Sequence, residues 1–251
     1  MFEICGNSVC GPARHNNEDY YAYRNSDDYA VIAVADGLGG CPYGEIASKI
    51  AVESSLEYLD AALNDTDDAN DLSYELDKAF NKSNIEILRN CAENPDHIGM
   101  CSTLTIAVVT RDKLTVAHYG DCRAYLVRGD DILQLTEDHN LAGFLLRSGK
   151  ISEEEALTHE GRSSLVNCLG ENKYIRPDIY TYNAFCGDCV ILASDGMYSL
   201  FDDDTCRDIL QNADDLEKMC RILITRGGSK DSRDNSTVVV CRILPGTNED
   251  K

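Results

Sequence analysis

Aspartates stand at the ends of four apolar runs in this chain. Asp36 ends Tyr29-Ala30-Val31-Ile32-Ala33-Val34-Ala35 and is followed at once by Gly37-Leu38-Gly39-Gly40. Val190-Ile191-Leu192-Ala193-Ser194 ends in Asp195-Gly196, Leu114-Thr115-Val116-Ala117-His118-Tyr119 ends in Gly120-Asp121, and Asp234-Asn235 precedes Thr237-Val238-Val239-Val240. Runs this apolar, rich in Val and Ile and closed by glycine, read as buried strands. A carboxylate at the mouth of such a strand is rigidly placed and poorly solvated, which is costly unless a cation answers it. Four of them point to one shared site for hard divalent metals.

The chemistry follows from the charges. Like charges a few ångströms apart raise one another's pKa unless something neutralises them. Mg²⁺ or Mn²⁺, which prefer carboxylate, carbonyl and water oxygens, would keep Asp36, Asp195 and Asp234 ionised together. One carboxylate can bridge two such ions, and Gly37 can offer its carbonyl because no side chain obstructs approach. Two bridged metals acidify a shared water and direct it in line at a phosphorus atom. Arg14, in Arg14-His15-Asn16-Asn17-Glu18-Asp19, is the residue type suited to a forked grip on phosphate. Glu18 and Asp19 are placed to hold metal-bound waters.

The elements that must position these groups are legible in outline. Strands are predicted near 2–9, 18–24 and 29–35, then helices over 42–63 and about 71–93 separated by the polar stretch 64–71. Stretches 102–110, 113–119, 122–128 and 132–135 follow, joined by turns too tight for anything but antiparallel pairing. Residues 139–160 read as helical, with Ser152-Glu153-Glu154-Glu155 as a helix start. Strands near 176–182 and 188–194, helices near 203–212 and 214–226, and a strand at 236–243 complete the chain. Runs of strands interrupted by helix pairs indicate an α+β fold with antiparallel sheets, and 251 residues suffice for one domain spanning 1–251.

Composition excludes several classes. A formal net charge of −21 argues against nucleic acid or an anionic membrane surface as partner. No run reaches bilayer length, and the N-terminal residues carry no secretory pattern, so the cytoplasm is the expected location. Twelve cysteines fall mostly inside apolar or helical stretches (Cys91, Cys122, Cys189, Cys220, Cys241), which favours reduced, buried hydrophobes over a disulfide framework. Cys186-Gly187-Asp188-Cys189 is the one C-x-x-C and reads as a turn feeding the next strand; a zinc or redox role was weighed against it. His118 lies in a strand pattern and, with His139, is not expected to ligate metal. Phe201-Asp202-Asp203-Asp204-Thr205 reads as a solvated helix start rather than an ion site. There is no nucleotide loop and no G-x-S-x-G elbow.

Taken in order, Arg14…Glu18-Asp19, Val34-Ala35-Asp36-Gly37-Leu38-Gly39-Gly40, Ser102-Thr103-Leu104, Gly120-Asp121-Cys122-Arg123-Ala124-Tyr125, Leu135-Thr136-Glu137-Asp138-His139-Asn140, Ser194-Asp195-Gly196 and Asp234-Asn235-Ser236-Thr237 resemble the metal-dependent protein phosphatases of the protein phosphatase 2C type, in particular the compact bacterial branch. The resemblance implies a central sandwich of two antiparallel β-sheets flanked by helices on both outer faces, in four αββα layers. It implies that Asp36 bridges two Mn²⁺ or Mg²⁺ ions, that Asp195 and Asp234 complete the first, and that the Gly37 carbonyl holds the second. Asp121, with Asp195, would hold a third ion, and Arg14 would grip phosphate, with Glu18, Asp19 and Asn235 supporting. The stretch of about 139–172, including His159-Glu160-Gly161-Arg162 and Cys168-Leu169-Gly170, resembles the family's mobile flap.

The implied activity is hydrolysis of phosphoserine and phosphothreonine by metal-bridging hydroxide, with no phosphoenzyme. Phosphoprotein substrates, an opposing Ser/Thr kinase and a monomeric state go with it. Two departures stand out: Leu38 occupies the place where some members carry a proton-donating His, which leaves a metal-bound water for that task, and Cys41-Pro42-Tyr43 makes an unusual rim. The rivals are a phosphatase-like binding or regulatory protein without catalysis and a small-molecule metal phosphoesterase. The presence of Asp36, Asp195 and Asp234 together weighs against the first; the second depends on flap and rim.

Overall fold

The structure is a computed structural model that describes residues 1–64, 71–200, 215–227 and 234–245. Ten strands form two antiparallel sheets of five. One has the order β1 (Phe2–Val9), β10 (Ser236–Ile243), β9 (Cys189–Ala193), β6 (Arg123–Arg128), β7 (Asp131–Gln134); the other runs β2 (Asp19–Asn25), β3 (Tyr29–Asp36), β4 (Leu104–Thr110), β5 (Lys113–Tyr119), β8 (Asp178–Asn183). Among the described residues the helices are α1 (Gly44–Asn64), α2 (Leu72–Glu93), α3 (Leu141–Arg147), α4 (Glu153–Thr158) and α5 (Leu216–Gly227).

Why β3 and β10 are apolar at nearly every position is answered by three cores. Along a strand, successive side chains face opposite sides. Ala30, Ile32 and Val34 point between the sheets, where they meet Val116, Leu192, Val239 and Cys241. Val31, Ala33 and Ala35 point outward against Ala51, Leu56, Leu76 and Phe80 of α1 and α2. Val238 and Val240 likewise face outward, onto Met219, Cys220 and Leu223 of α5. Both faces of both sheets are covered, which yields the four-layer αββα sandwich expected.

Most predicted elements appear within two residues of their expected bounds. The stretch 139–160 differs: it breaks into α3 and α4, separated by Ser148–Ser152, and a single 3₁₀ turn at Glu160–Ser163 follows. Gly149, at φ 67°, stops α3 in the left-handed conformation that favours glycine. Ser152 then starts α4 with a full capping box to Glu155. The expected helix over 203–212 and the acidic stretch Asp202-Asp203-Asp204 lie outside the described residues. Cys186-Gly187-Asp188-Cys189 is the turn anticipated, with Gly187 at φ 93° leading into β9.

Candidate active site

Asp36 is the last residue of β3, and the main chain around it is fastened from three sides. Its N–H donates to Thr103 Oγ1 at 2.8 Å, and its carbonyl accepts from Thr103 N at 2.8 Å and Ser102 Oγ at 3.0 Å. Gly37 N–H donates to the Glu18 carbonyl and Leu38 N–H to the Cys101 carbonyl, both at 3.0 Å. A Cβ on Gly37 would lie 2.2 Å from the Gly44 carbonyl oxygen, so only glycine fits where the chain turns into α1. The strand end is therefore a rigid post.

The other carboxylates arrive from neighbouring strand ends. β9 ends at Ala193 and delivers Asp195, and Asp234 precedes β10. These two segments are pressed together so closely that a Cβ on Gly196 would lie 1.9 Å from the Asn235 carbonyl oxygen. Asp121 sits on the turn between β5 and β6. Asp36, Asp121, Asp195, Asp234 and Arg14 line one cleft of about 190 Å³, together with Gly37, Leu38, Gly39, Ser163 and Leu165. Every first-rank residue expected from the sequence is thus in the same place.

The electrostatics are those of crowded acid. Burial, then the negative charges of Asp19, Asp195, Asp121 and Asp234, push the Asp36 carboxyl well above its usual range. Burial chiefly, with Asp234 and Asp19, pushes Asp195 up to about 7, and burial with Asp195 raises Asp121. Burial raises Asp19 to about 6 even though it accepts the Ser194 and Thr237 hydroxyls at 2.7 Å each. Arg14 answers part of this charge: its Nη2 lies 2.7 Å from Asp234 Oδ2, and its Nη1 3.9 Å from Glu18.

Buried carboxylate oxygens left without a hydrogen bond are the observation that tests a metal here. The Oδ1 atoms of Asp19 and Asp195 are buried with no hydrogen-bond partner, which is costly for carboxylates. The donors are all hard oxygens, the set suited to Mg²⁺ or Mn²⁺, so the residues fit. Among the described residues no three acidic, thiol or imidazole groups already close on one point. Asp234 is engaged meanwhile, its Oδ2 by Arg14 and its Oδ1 by its neighbour's N–H at 2.9 Å.

The remaining expected residues are distributed around this centre. Asn235 uses its amide oxygen to accept Gly11 N–H at 3.1 Å, anchoring the turn that carries Arg14. Glu18 is raised mainly by burial. His118 is a satisfied core histidine, bonded to Thr105 and the Glu137 carbonyl and held neutral by burial. Residues not singled out as site residues also matter: Asn140 reaches Asp121 Oδ2 at 3.4 Å while capping α3. His139 accepts Gly120 N–H at Nδ1 at 3.2 Å, and its backbone N–H returns to the Gly120 carbonyl at 2.7 Å. Arg123 grips Asp138 with two bonds of 2.8 and 2.7 Å. All three contacts join the motif around Gly120 to the motif ending at Asn140; the signal in the sequence was their co-occurrence. At the rim, Tyr43 takes φ 53° and its ring centroid lies 4.2 Å from that of His97.

The protein phosphatase 2C family model matches residues 13–232. The chain belongs to that family. A serine/threonine phosphatase of Listeria innocua is 32% identical over 234 residues, covering 92% of this chain and 91% of the relative. The Mycobacterium tuberculosis serine/threonine phosphatase PstP superposes with a TM-score of 0.84 at 30% identity, over 97% of this chain and 99% of that one. A PstP catalytic domain in complex with two manganese ions matches at 0.80 and 30% identity, over 97% of this chain and 99% of that one. The family is metal-dependent, in agreement with the donor set.

Proposed function

We propose that this phosphatase 2C-family chain is a metal-dependent protein serine/threonine phosphatase. The carrying observation is the convergence of Asp36, Asp121, Asp195 and Asp234 on one cleft beside Arg14. Asp36, Asp195, Asp234 and the Gly37 carbonyl would hold two ions, Mn²⁺ or Mg²⁺, and Asp121 a third; manganese in the PstP catalytic domain supports the first choice. When bound, the ions supply a water acidified to near neutral pH and a counter-charge for phosphate oxygens.

The chain's own residues do the rest. Arg14 binds and orients the phosphate by its guanidinium fork, and sharing Asp234 keeps that fork from swinging away. The main chain of Asp36 is held by Ser102 and Thr103, which fixes the strand end from which its carboxylate projects. Asp19 and Glu18, poorly solvated beside the cleft, would support the ions from outside their direct ligands by accepting hydrogen bonds from water. Among the described residues no Cys or His lines the cleft, and aspartates committed to holding cations would not be free to attack phosphorus, which supports direct attack by water with no phosphoenzyme. Leu38 cannot supply a proton, so the leaving alkoxide takes one from solvent in the cleft.

The fold acts as one catalytic domain over 1–251, with a flap over about 139–172 that carries Ser163 and Leu165 to the cleft. The relatives' names support phosphoprotein substrates, and an opposing Ser/Thr kinase would be the partner that makes them. Free cysteines among the described residues support a reducing compartment, the cytoplasm, and a monomer is the simplest unit. Among the described residues no helix is long and apolar enough to cross a membrane. A phosphopeptide panel assayed with Mn²⁺, Mg²⁺ and chelator tests the reading. Metal-dependent release of phosphate from phosphoserine and phosphothreonine peptides is expected; turnover of small phosphoesters alone would favour the small-molecule reading.

A further inference from the structure

Three cysteines lie on neighbouring segments beside the cleft. Cys41 follows the glycines after Asp36, Cys101 precedes Ser102, and Cys168 precedes Leu169. Isolated bridges hold these segments side by side: Gly37 pairs with Ser102, and Ser102 with Leu169. The second bridge is closed by Leu169 N–H to the Ser102 carbonyl at 2.7 Å and Ser102 N–H to the Leu169 carbonyl at 3.2 Å. That register puts Cys101 and Cys168 on one face as diagonal neighbours, near enough that each shifts the other's titration, Cys101 upward and Cys168 downward, while the Cys101 thiol donates to the Gly99 carbonyl at 3.4 Å. All three are part-exposed. The expectation that the cysteines act as buried hydrophobes holds for Cys122, Cys189, Cys220 and Cys241, but not for Cys91, which is only partly buried, nor for this group.

We propose that Cys168 and Cys101 form an oxidant-sensitive modification site, closing a disulfide that pins the flap segment to the floor of the cleft. The shared face set by the Ser102–Leu169 bridge and exposure to solvent supply the geometry, and the surroundings assign the roles. The neighbouring Cys101 thiol and then the Lys173 ammonium favour the Cys168 thiolate, the nucleophilic form. Cys101 is kept protonated by the nearby Cys168 and by burial. The oxidant is a hydroperoxide. Cys168 Sγ attacks its terminal oxygen, forming S–O and breaking O–O, and the departing oxyanion is protonated. Cys101 Sγ, having given up its proton, then attacks the sulfenic sulfur, forming S–S and expelling hydroxide. Two thiols and one hydroperoxide give one disulfide, one alcohol (or water) and one water. The bridge would fix the strand-like segment that carries Leu169, a few residues beyond the cleft-lining Ser163 and Leu165.

The test treats the full chain with hydrogen peroxide, blocks free thiols, and maps the non-reducing digest by mass. A cross-linked Cys101–Cys168 peptide that disappears with dithiothreitol is expected. Cys168→Ser should form none, Cys101→Ser should leave a Cys168 sulfenic acid trapped by dimedone, and Cys41→Ser should keep the bridge. Free Cys101 and Cys168 after treatment that oxidises other cysteines, or a bridge to Cys41 instead, would overturn the site. The pinning arm rests on the phosphatase reading: Mn²⁺-dependent turnover should fall on the order of tenfold to a hundredfold on oxidation, recover with dithiothreitol, and resist peroxide in Cys101→Ser. A bridge that forms with turnover unchanged would overturn the pinning. The mass map decides the thiol site whether or not the untreated chain cleaves a phosphoester, so the two readings fail separately.

Discussion

Asp19 and Asp36 stand opposite one another in the β2–β3 register, and after burial the Asp19 charge is the largest cause that pushes the Asp36 carboxyl up. Asp19 also accepts from Ser194 and Thr237, 2.7 Å each, across the gap to the other sheet. One buried carboxylate thus joins the two sheets at the point where the other must meet its ions. The price of crowding two acids is a site that is incomplete without cations.

Asp36→Asn removes the carboxylate that every other acid in the cleft repels. Mn²⁺-dependent cleavage of an aryl phosphate should fall on the order of 10³-fold or more, as for loss of a central electrostatic contact. The metal-free variant should melt at or above the parent's temperature, because a buried like charge has gone. Substantial turnover in this variant would remove Asp36 from the bridging role.

Much of this was readable before any coordinates, and the reasons are physical. β3 and β10 are apolar on both faces because each is sandwiched between a helix layer and the other sheet, so continuous runs marked the centre of the molecule. The Asp-Gly pairs marked strand ends, since glycine permits the tight approach seen at Gly37 and Gly196. The break of 139–160 into two short helices was not legible: helical periodicity over so few residues does not distinguish one helix from two. Nor was the Arg123–Asp138 pair or the Cys41–Cys101–Cys168 group, because partners far apart in sequence meet only through topology.

Metal should stabilise the protein more as pH rises. Asp195 titrates at about 7 and Asp19 at about 6 in the folded chain, above the ~4 of an unfolded aspartate. Their contribution to metal-free stability is therefore complete below about pH 4 and is lost as pH climbs through 6 to 7. His118, held neutral by burial, acts oppositely, losing stability as pH falls below its unfolded value, but it does so with or without metal. The difference in Tm between excess Mn²⁺ and chelator isolates the carboxylates. It should widen from pH 5.5 to 8; a constant difference would contradict proton–metal competition at these groups.

Arg14→Ala should raise KM by roughly tenfold for a phosphopeptide with kcat little changed, the mark of binding shared by ground and transition states. Arg14→Lys should recover little of it, since a point charge lacks the fork. Steady-state kinetics at saturating Mn²⁺ separates the terms. A lower kcat at unchanged KM would place the guanidinium in the chemical step instead.

Asp138→Ala tests whether the Gly120 turn is held by the Arg123 pair. Both side chains are largely buried, 14% and 12% exposed, and the two bonds tie the start of β6 to the segment entering the flap. Removing Asp138 strips Arg123 of its bidentate partner in a poorly solvated place, a loss of about 3 kcal/mol or more in urea unfolding. Arg123→Met with Asp138→Leu should cost much less, because the uncompensated charge goes with its partner. If the single and double variants unfold alike, the pair is not what holds the turn. Asp121 rides on that turn, so the single variant should also weaken Mn²⁺ dependence, read as a higher metal concentration for half-maximal turnover.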